Sequence, residues 1–238
     1  MKMKGVLFLA GHTARSQAYA QAMVDADLHP EYALFFGTKN KGLLGQPADI
    51  PGKYRIKGLF VPDLSIPLAG SSKKYGWNVK EVAVNDVNNY KILTEIKKIN
   101  PALIIYSGYG GQIVGKELIG SGIGFLHMHS GWLPDYKGST TLYYSWLADN
   151  FCGVSAILLN ATIDGGAVVA RKKYGPPAKG IDVDYVYDSA IRADLLVSVL
   201  KNYIKNSGFK DVMLQKKRGT KYFVIHPVLK HLARLSAK

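Results

Sequence analysis

A single cysteine, Cys152, is all the sequence has, so no internal disulfide can form and a reducing compartment suits it. No apolar run approaches the ~18 residues a membrane span needs. The first apolar run, Val6 to Ala10, leads into polar His12, Thr13 and Arg15 and not into a small-residue cleavage site. These absences predict a soluble, cytoplasmic protein without a membrane partner. Arginine is also scarce, at six of the 31 Lys+Arg, although 17 Asp+Glu leave a net charge of +14. Base readout and bidentate phosphate clamps favour Arg over Lys, and no long basic arm is present, so nucleic acid is a poor fit as a partner. The paired lysines (Lys73-Lys74, Lys97-Lys98, Lys172-Lys173, Lys216-Lys217) leave two readings open. They form a solvated basic surface, one that also suits an anionic small substrate, or they meet a polyanion. After the first strand-like run comes Gly11-His12-Thr13-Ala14-Arg15-Ser16, which lacks the spaced glycines of a dinucleotide fingerprint. A phosphate-cradling P-loop and a G-x-S-x-G nucleophile elbow are missing too.

What is present is a chain of 238 residues, 47% hydrophobic and 20% charged, enough for one well-filled domain and incompatible with disorder. Strand-like runs at Val6–Ala10, Tyr32–Phe36, Lys57–Val61, Glu81–Val84, Leu103–Tyr106, Phe125–His129, Val154–Leu159 and Val168–Arg171 alternate with helical spacing. Thr13 and Asp86 are the expected helix caps, Pro101 stops a helix, Leu142–Leu147 belongs to another, and Val183–Ile204 reads as the longest. The pattern predicts an α/β fold: a Rossmann-like, mostly parallel twisted sheet with helices on both faces and its site where strands end. Residues 1–205 form the expected domain, with 206–238 a short carboxyl-terminal extension packed on it.

The chemistry concentrates in Leu126-His127-Met128-His129-Ser130-Gly131-Trp132-Leu133-Pro134-Asp135-Tyr136-Lys137-Gly138. A strand's period of two puts Phe125, His127 and His129 on one face, with a Gly/Pro turn immediately after. Downstream, Asp164 precedes two glycines. It is either a hairpin turn or a carboxylate able to hold an imidazole in its working protonation state.

Together these residues resemble the formyltransferases that use 10-formyltetrahydrofolate. That family has a strand ending in Asn-x-His, a turn with Leu-Pro, an aromatic residue and Gly, and a later Asp before a Gly-containing turn. Leu133-Pro134, Tyr136 and Gly138 match the turn, His129 falls on the catalytic His and Asp164 on the catalytic Asp. The resemblance implies the formyltransferase fold, a folate-binding loop at Ser107, Gly108, Tyr109, Gly110, Gly111, Gln112 and Ile113, and no metal. One departure stands out, because His127 occupies the place of the Asn that donates to the formyl oxygen. A neutral imidazole can supply one N–H donor there.

The implied function is transfer of a formyl group from the co-substrate 10-formyltetrahydrofolate to a primary amine. After the helix ending near Tyr203 only about thirty residues remain, against the added barrel domain with which the tRNA-acting members grip tRNA. The aromatic, basic tail Gly219–Pro227 points to an amino sugar linked to a nucleotide, or to a sugar acid, made for surface glycans. That tail also reads as a segment docking the carboxyl terminus. Trp132, Tyr136, Lys137, Tyr143 and Tyr144 either line the acceptor side or pack. A homodimer is compatible with this reading. Two rivals stay open: a metal-dependent hydrolase using His127, His129 and Asp164 as ligands, and a binding protein that lost the chemistry at His127.

Overall fold

A computed structural model of the chain describes residues 1–37, 56, 58–216 and 219–237. Strand β1 (Lys2–Gly11) is buried on both faces from Val6 onward, as an apolar run in a sheet covered on both sides should be. Thr13 then takes an extended conformation and its Oγ1 accepts from Ser16 N at 3.1 Å, capping α1 (Ala14–Asp25), which buries Ala18, Ala22 and Met23 as the spacing predicts. The remaining elements in chain order are β2 (His29–Phe36), α2 (Leu68–Lys74), β3 (Asn78–Val82), α3 (Tyr90–Ile99), β4 (Leu103–Ser107), α4 (Lys116–Ile119), β5 (Gly124–His129), β6 (Tyr136–Gly138), α5 (Thr141–Asp149), β7 (Cys152–Leu158), β8 (Ala167–Tyr174), α6 (Asp188–Asn206), β9 (Thr220–Tyr222) and α7 (Pro227–Leu235).

Seven strands form one sheet in the order β3-β2-β1-β4-β5-β7-β8. The first five are parallel, whereas β7 pairs antiparallel with both β5 and β8. Strand order reverses between β1 and β4, which opens a crevice at their carboxyl ends. Register brings those ends level: Ala10 lies opposite Phe35 and Ser107, and Tyr106 opposite His127. One sheet face carries Phe8, Ala10, Phe35, Leu126 and Met128 in a core completed by α1 and α6. The other carries Leu7, Leu9, Leu34, Ile104 and Phe125 beneath Ile92 and Ile96 of α3 and Leu118 of α4.

Several expectations change in detail. Lys57 lies outside the described residues, and 58–61 is turn and irregular backbone, not strand. Asp86 turns its Oδ1 to Asn88 N, and Asn89 caps α3 instead, its Oδ1 accepting from Lys91 N at 3.0 Å. The predicted helix from Val183 opens as a π-helical turn at Val183–Tyr187, with Asp182 Oδ1 accepting from Tyr185 N at 2.7 Å, before α6 begins. Among the described residues no helix is long and apolar enough to cross a membrane.

The tail beyond residue 206 is woven into the site's rim. Strand β9 pairs in parallel with β6, Tyr136 opposite Thr220 and Gly138 opposite Tyr222. Helix α7 lies against α5, and its Lys230 and Arg234 pair with Asp184 at 2.6 and 3.0 Å.

Candidate active site

His129 closes β5 and is only 5% exposed. Its Nε2 stands 2.8 Å from the Tyr136 carbonyl. A carbonyl only accepts, so Nε2 carries a proton there and Nδ1 is the nitrogen offered to Asp164, whose Oδ1 lies at 3.3 Å. Gly131 makes this packing feasible: a Cβ at that position would sit 2.5 Å from both His129 Nε2 and Tyr136 O. The strand end is pinned from α6, since Arg192 Nη1 donates to Met128 O at 2.9 Å and Ser130 Oγ donates to Asp188.

Asp164 reaches His129 by a route the sequence does not announce. The loop after β7 leaves the sheet beside Phe125, where Leu159 N donates to Phe125 O at 2.9 Å. It then runs back along the face that carries Phe125, His127 and His129, and delivers Asp164 to the far end of β5. Asp164 takes a left-handed φ of 51°. Its Oδ2 accepts from Gly138 N at 2.7 Å, and the loop backbone is fastened by Gln215 Nε2, which donates to the carbonyls of Asp164 and Gly166 at 2.8 and 2.7 Å. Burial opposes the Asp164 charge, but the His129 hydrogen bond and charge and the Gly138 N–H outweigh it, drawing the carboxyl down to about 2.

His127 is half-buried on β5, its ring 6.0 Å from that of Tyr106 on β4. Nδ1 is sealed in protein with no partner, leaving Nε2 as the nitrogen able to meet a ligand in the cleft. Burial, the Arg15 and Arg192 guanidiniums and His129 push the imidazole down to about 3, against a smaller pull from Asp164. His127 is therefore neutral near pH 7, a donor without charge at a floor made positive by its neighbours.

All of these groups line one cleft of about 430 Å³, together with Gly108 through Ile113. Its far rim is Gly138–Thr141 from the turn and Lys221–Val224 from the tail. The structure thus brings together His127, His129, Asp164, Gly108, Tyr109, Gly110, Gly111, Gln112 and Ile113. Ser107 is different: it is fully buried, its Oγ shared with Ser16 Oγ at 2.8 Å and Arg15 Nε at 3.3 Å, and it supports the loop from below. Tyr109 lines the cleft but spends its hydroxyl on Phe36 O at 3.2 Å. Its ring fills the space over Gly37, where a Cβ would meet the Tyr109 oxygen at 1.8 Å and φ is +100°.

Of the five residues read as either lining the acceptor side or packing, four make packing contacts. Trp132 lies edge-on to Phe151 with Arg171 over its ring, Tyr136 stacks on Tyr222 and donates to Asp149, Tyr143 donates to Asp184 at 2.9 Å, and Tyr144 leans on Tyr222. Large rings fill gaps between elements, and a sequence does not reveal which gap. Lys137 lines a second cleft of about 740 Å³, shared with Lys216 and Lys221 and meeting the first at Gly138, Ile163 and Asp164. Sequence reasoning missed Arg15, Arg192, Thr141 and Gln215. Arg15 stood in the first turn, inspected only for glycines.

Among the described residues, no three His, Cys, Asp or Glu side chains are grouped as metal ligands. His129 presents its two nitrogens to Tyr136 O and Asp164. The remaining inventory is an ionised carboxylate on an imidazole, and a neutral imidazole donor beside two guanidiniums. One pair can move a proton and the other can meet developing negative charge, the parts an acyl-transfer site needs.

The class of protein is given by the family to which the sequence is similar. The sequence pattern of the formyl transferase family matches residues 61–179, half the chain, and the protein belongs to that family. A methionyl-tRNA formyltransferase from Pediococcus pentosaceus is 31% identical over 142 residues, covering 54% of this chain and 44% of its own length. The chain spans less than half the length of the curated relatives it matches first. Solved structures share the fold. A phosphoribosylglycinamide formyltransferase from Anaplasma phagocytophilum superimposes with a TM-score of 0.60 at 12% identity over 94% of this chain and 98% of that one. A sugar N-formyltransferase from a Shewanella species gives 0.59 at 17% identity over 99% and 87%.

Proposed function

We propose that the cleft moves a formyl group from 10-formyltetrahydrofolate to the primary amine of an amino sugar, either nucleotide-linked or a sugar acid of the kind built into surface glycans. The observation that carries this reading is the contact of His129 Nδ1 with Asp164 Oδ1 at 3.3 Å, inside a cleft walled by Gly108 to Ile113. The residues present fit the co-substrate. A slot of about 110 Å³ opens off the cleft between 112–114 and 159–164, with apolar walls at Val114, Ile119 and Leu159. Gly110 and Gly111 border open space with no side chain to block it. A flat heteroaromatic ring system suits such a slot, its edges facing backbone donors and acceptors.

The co-substrate supplies a formyl group carried on nitrogen. His127 Nε2–H donates to the formyl oxygen as negative charge gathers there, the task an amide performs in relatives with Asn at this place. The amine nitrogen bonds to the formyl carbon, the bond from that carbon to the folate nitrogen breaks, and the proton the amine loses ends on that folate nitrogen. Asp164, at about 2, is too weak a base to hold that proton near pH 7 and serves only to pass it on through water. The Asp164 carboxylate holds the His129 ring in place, while Gly138 N fixes its second oxygen. The acceptor side is the region of Phe223, which is 76% exposed at the rim, and of Lys137, Lys216 and Lys221 in the adjoining cleft. An aromatic face and clustered ammonium groups suit a ring carrying phosphate.

The test is incubation with 10-formyltetrahydrofolate and a panel of nucleotide-linked amino sugars and amino-sugar acids, read by mass spectrometry. An N-formyl product from one of them is expected. Failure with every sugar while a different amine is formylated would replace the acceptor and keep the transfer.

A further inference from the structure

Arg15 projects from the first turn of α1 onto the floor of the cleft. Its Nε donates to Ser107 Oγ at 3.3 Å and its Nη2 donates to the Gly108 carbonyl. Both acceptors are neutral, and among the described residues no carboxylate pairs with it. Arg192 beside it is in a different position, with Nε 2.9 Å from Asp188 Oδ2. The one other carboxylate at the floor, Asp164, is committed to His129 and Gly138. Burial and the Arg192 charge both work against the charged form of Arg15, and Tyr19 and Asp188, the latter already paired with Arg192, offset only part of this. A half-buried guanidinium without a counter-ion is costly, and such costs gather where a ligand completes the charge.

We propose that Arg15 is an anion anchor, binding an oxyanion group, carboxylate or phosphate, that the acceptor amine carries. Arg15 meets such a group with a fork already oriented by Ser107 and Gly108, so little side-chain freedom is lost on binding. The identity of the bearer rests on the formyl-transfer reading, but the anchor is tested without any formyl donor.

Isothermal titration of the protein with inorganic phosphate, and separately with acetate, measures the anchor directly. One of the two should bind the wild-type chain at about one equivalent, and which one does tells whether the acceptor bears phosphate or carboxylate. Arg15→Gln should weaken that binding about ten- to hundredfold, the value of a charge-assisted hydrogen bond, while Arg15→Lys, which keeps the charge and loses the fork, should fall between the two. As a second readout on the wild-type chain, titration followed by amide NMR should move Ser107, Gly108 and the first turn of α1. Equal binding by wild type and Arg15→Gln, binding of neither anion, or shifts confined elsewhere would overturn the anchor. In turnover, Arg15→Gln should raise the acceptor KM by more than it lowers kcat. A fall in kcat at unchanged KM would place Arg15 at the reacting atoms and overturn the assignment. Anion binding lost in Arg15→Gln, with no amine ever formylated, would keep the anchor and remove the transferase reading.

Discussion

Replacing His127 by Asn should make the protein more resistant to acid. Unfolded, the imidazole takes a proton near its ordinary 6.5, but in the folded chain, buried beside Arg15 and Arg192, it does so only near about 3. Between those values the unfolded state holds the extra proton, so lowering the pH favours unfolding. Well inside that window each pH unit is worth about 1.4 kcal/mol, less near 6.5 where the unfolded imidazole is half protonated, and falling from about pH 6.5 to about pH 4.5 should therefore cost about 2 kcal/mol through this residue. His127→Asn has no such proton to take. Asp164 works in the opposite sense but elsewhere: its carboxyl is lowered from 3.8 to about 2, so its contribution is present above 3.8 and disappears as pH falls toward 2. It stays nearly constant over the window and is common to both chains. Urea unfolding at the two pH values, for wild type and His127→Asn, gives four free energies whose double difference isolates the residue. Equal losses in the two proteins would mean that His127 titrates normally, and the picture of a neutral donor on a positive floor would fail.

Other consequences follow from the same geometry. His127→Asn should keep turnover within about tenfold, whereas His127→Phe, which removes the donor, should lower kcat about 10²–10³-fold. Gln215→Ala removes the two hydrogen bonds that fasten the Asp164 loop, and should lower kcat about tenfold with KM little changed and near-native circular dichroism. Gly166→Ala would place a Cβ 2.0 Å from Leu158 O, so the same loop must shift. Its activity should fall further than that of Gln215→Ala, and unfolding should show a loss of about 1–3 kcal/mol. Phe223→Ala, at an exposed rim position, should leave stability unchanged within about 0.5 kcal/mol and raise the acceptor KM, as steady-state kinetics would show.

Period and punctuation carried most of the architecture. Strand β5 was legible because its apolar and imidazole positions alternate and a Gly/Pro turn follows at once, and α1 because Thr13 stands before evenly spaced small residues. Asp164 was legible in type but not in path, since Asp-Gly announces a tight turn and the observed loop doubles back along β5 to satisfy its carboxylate. The antiparallel edge escaped notice because β7 is buried on both faces and its residues do not encode direction. Tyr143 and Tyr144 stayed open between lining the acceptor side and packing for a related reason. An aromatic beside a site motif fills whatever space tertiary packing leaves, and here that space lies against Asp184 and Tyr222. Arg15 could have been found from chemistry alone, as a scarce arginine in the first strand-to-helix turn, had that turn been read for charge.

Asp164→Asn is the most direct trial of the central claim, because it keeps size and most hydrogen bonds while removing the charge that holds His129. With 10-formyltetrahydrofolate and the best acceptor, wild type should give equal amounts of formylated amine and tetrahydrofolate. Asp164→Asn, folded and melting near the wild-type temperature, should be slower by about 10³-fold or more in kcat. Undiminished product from Asp164→Asn would show that the His129–Asp164 pair is not the machinery of transfer.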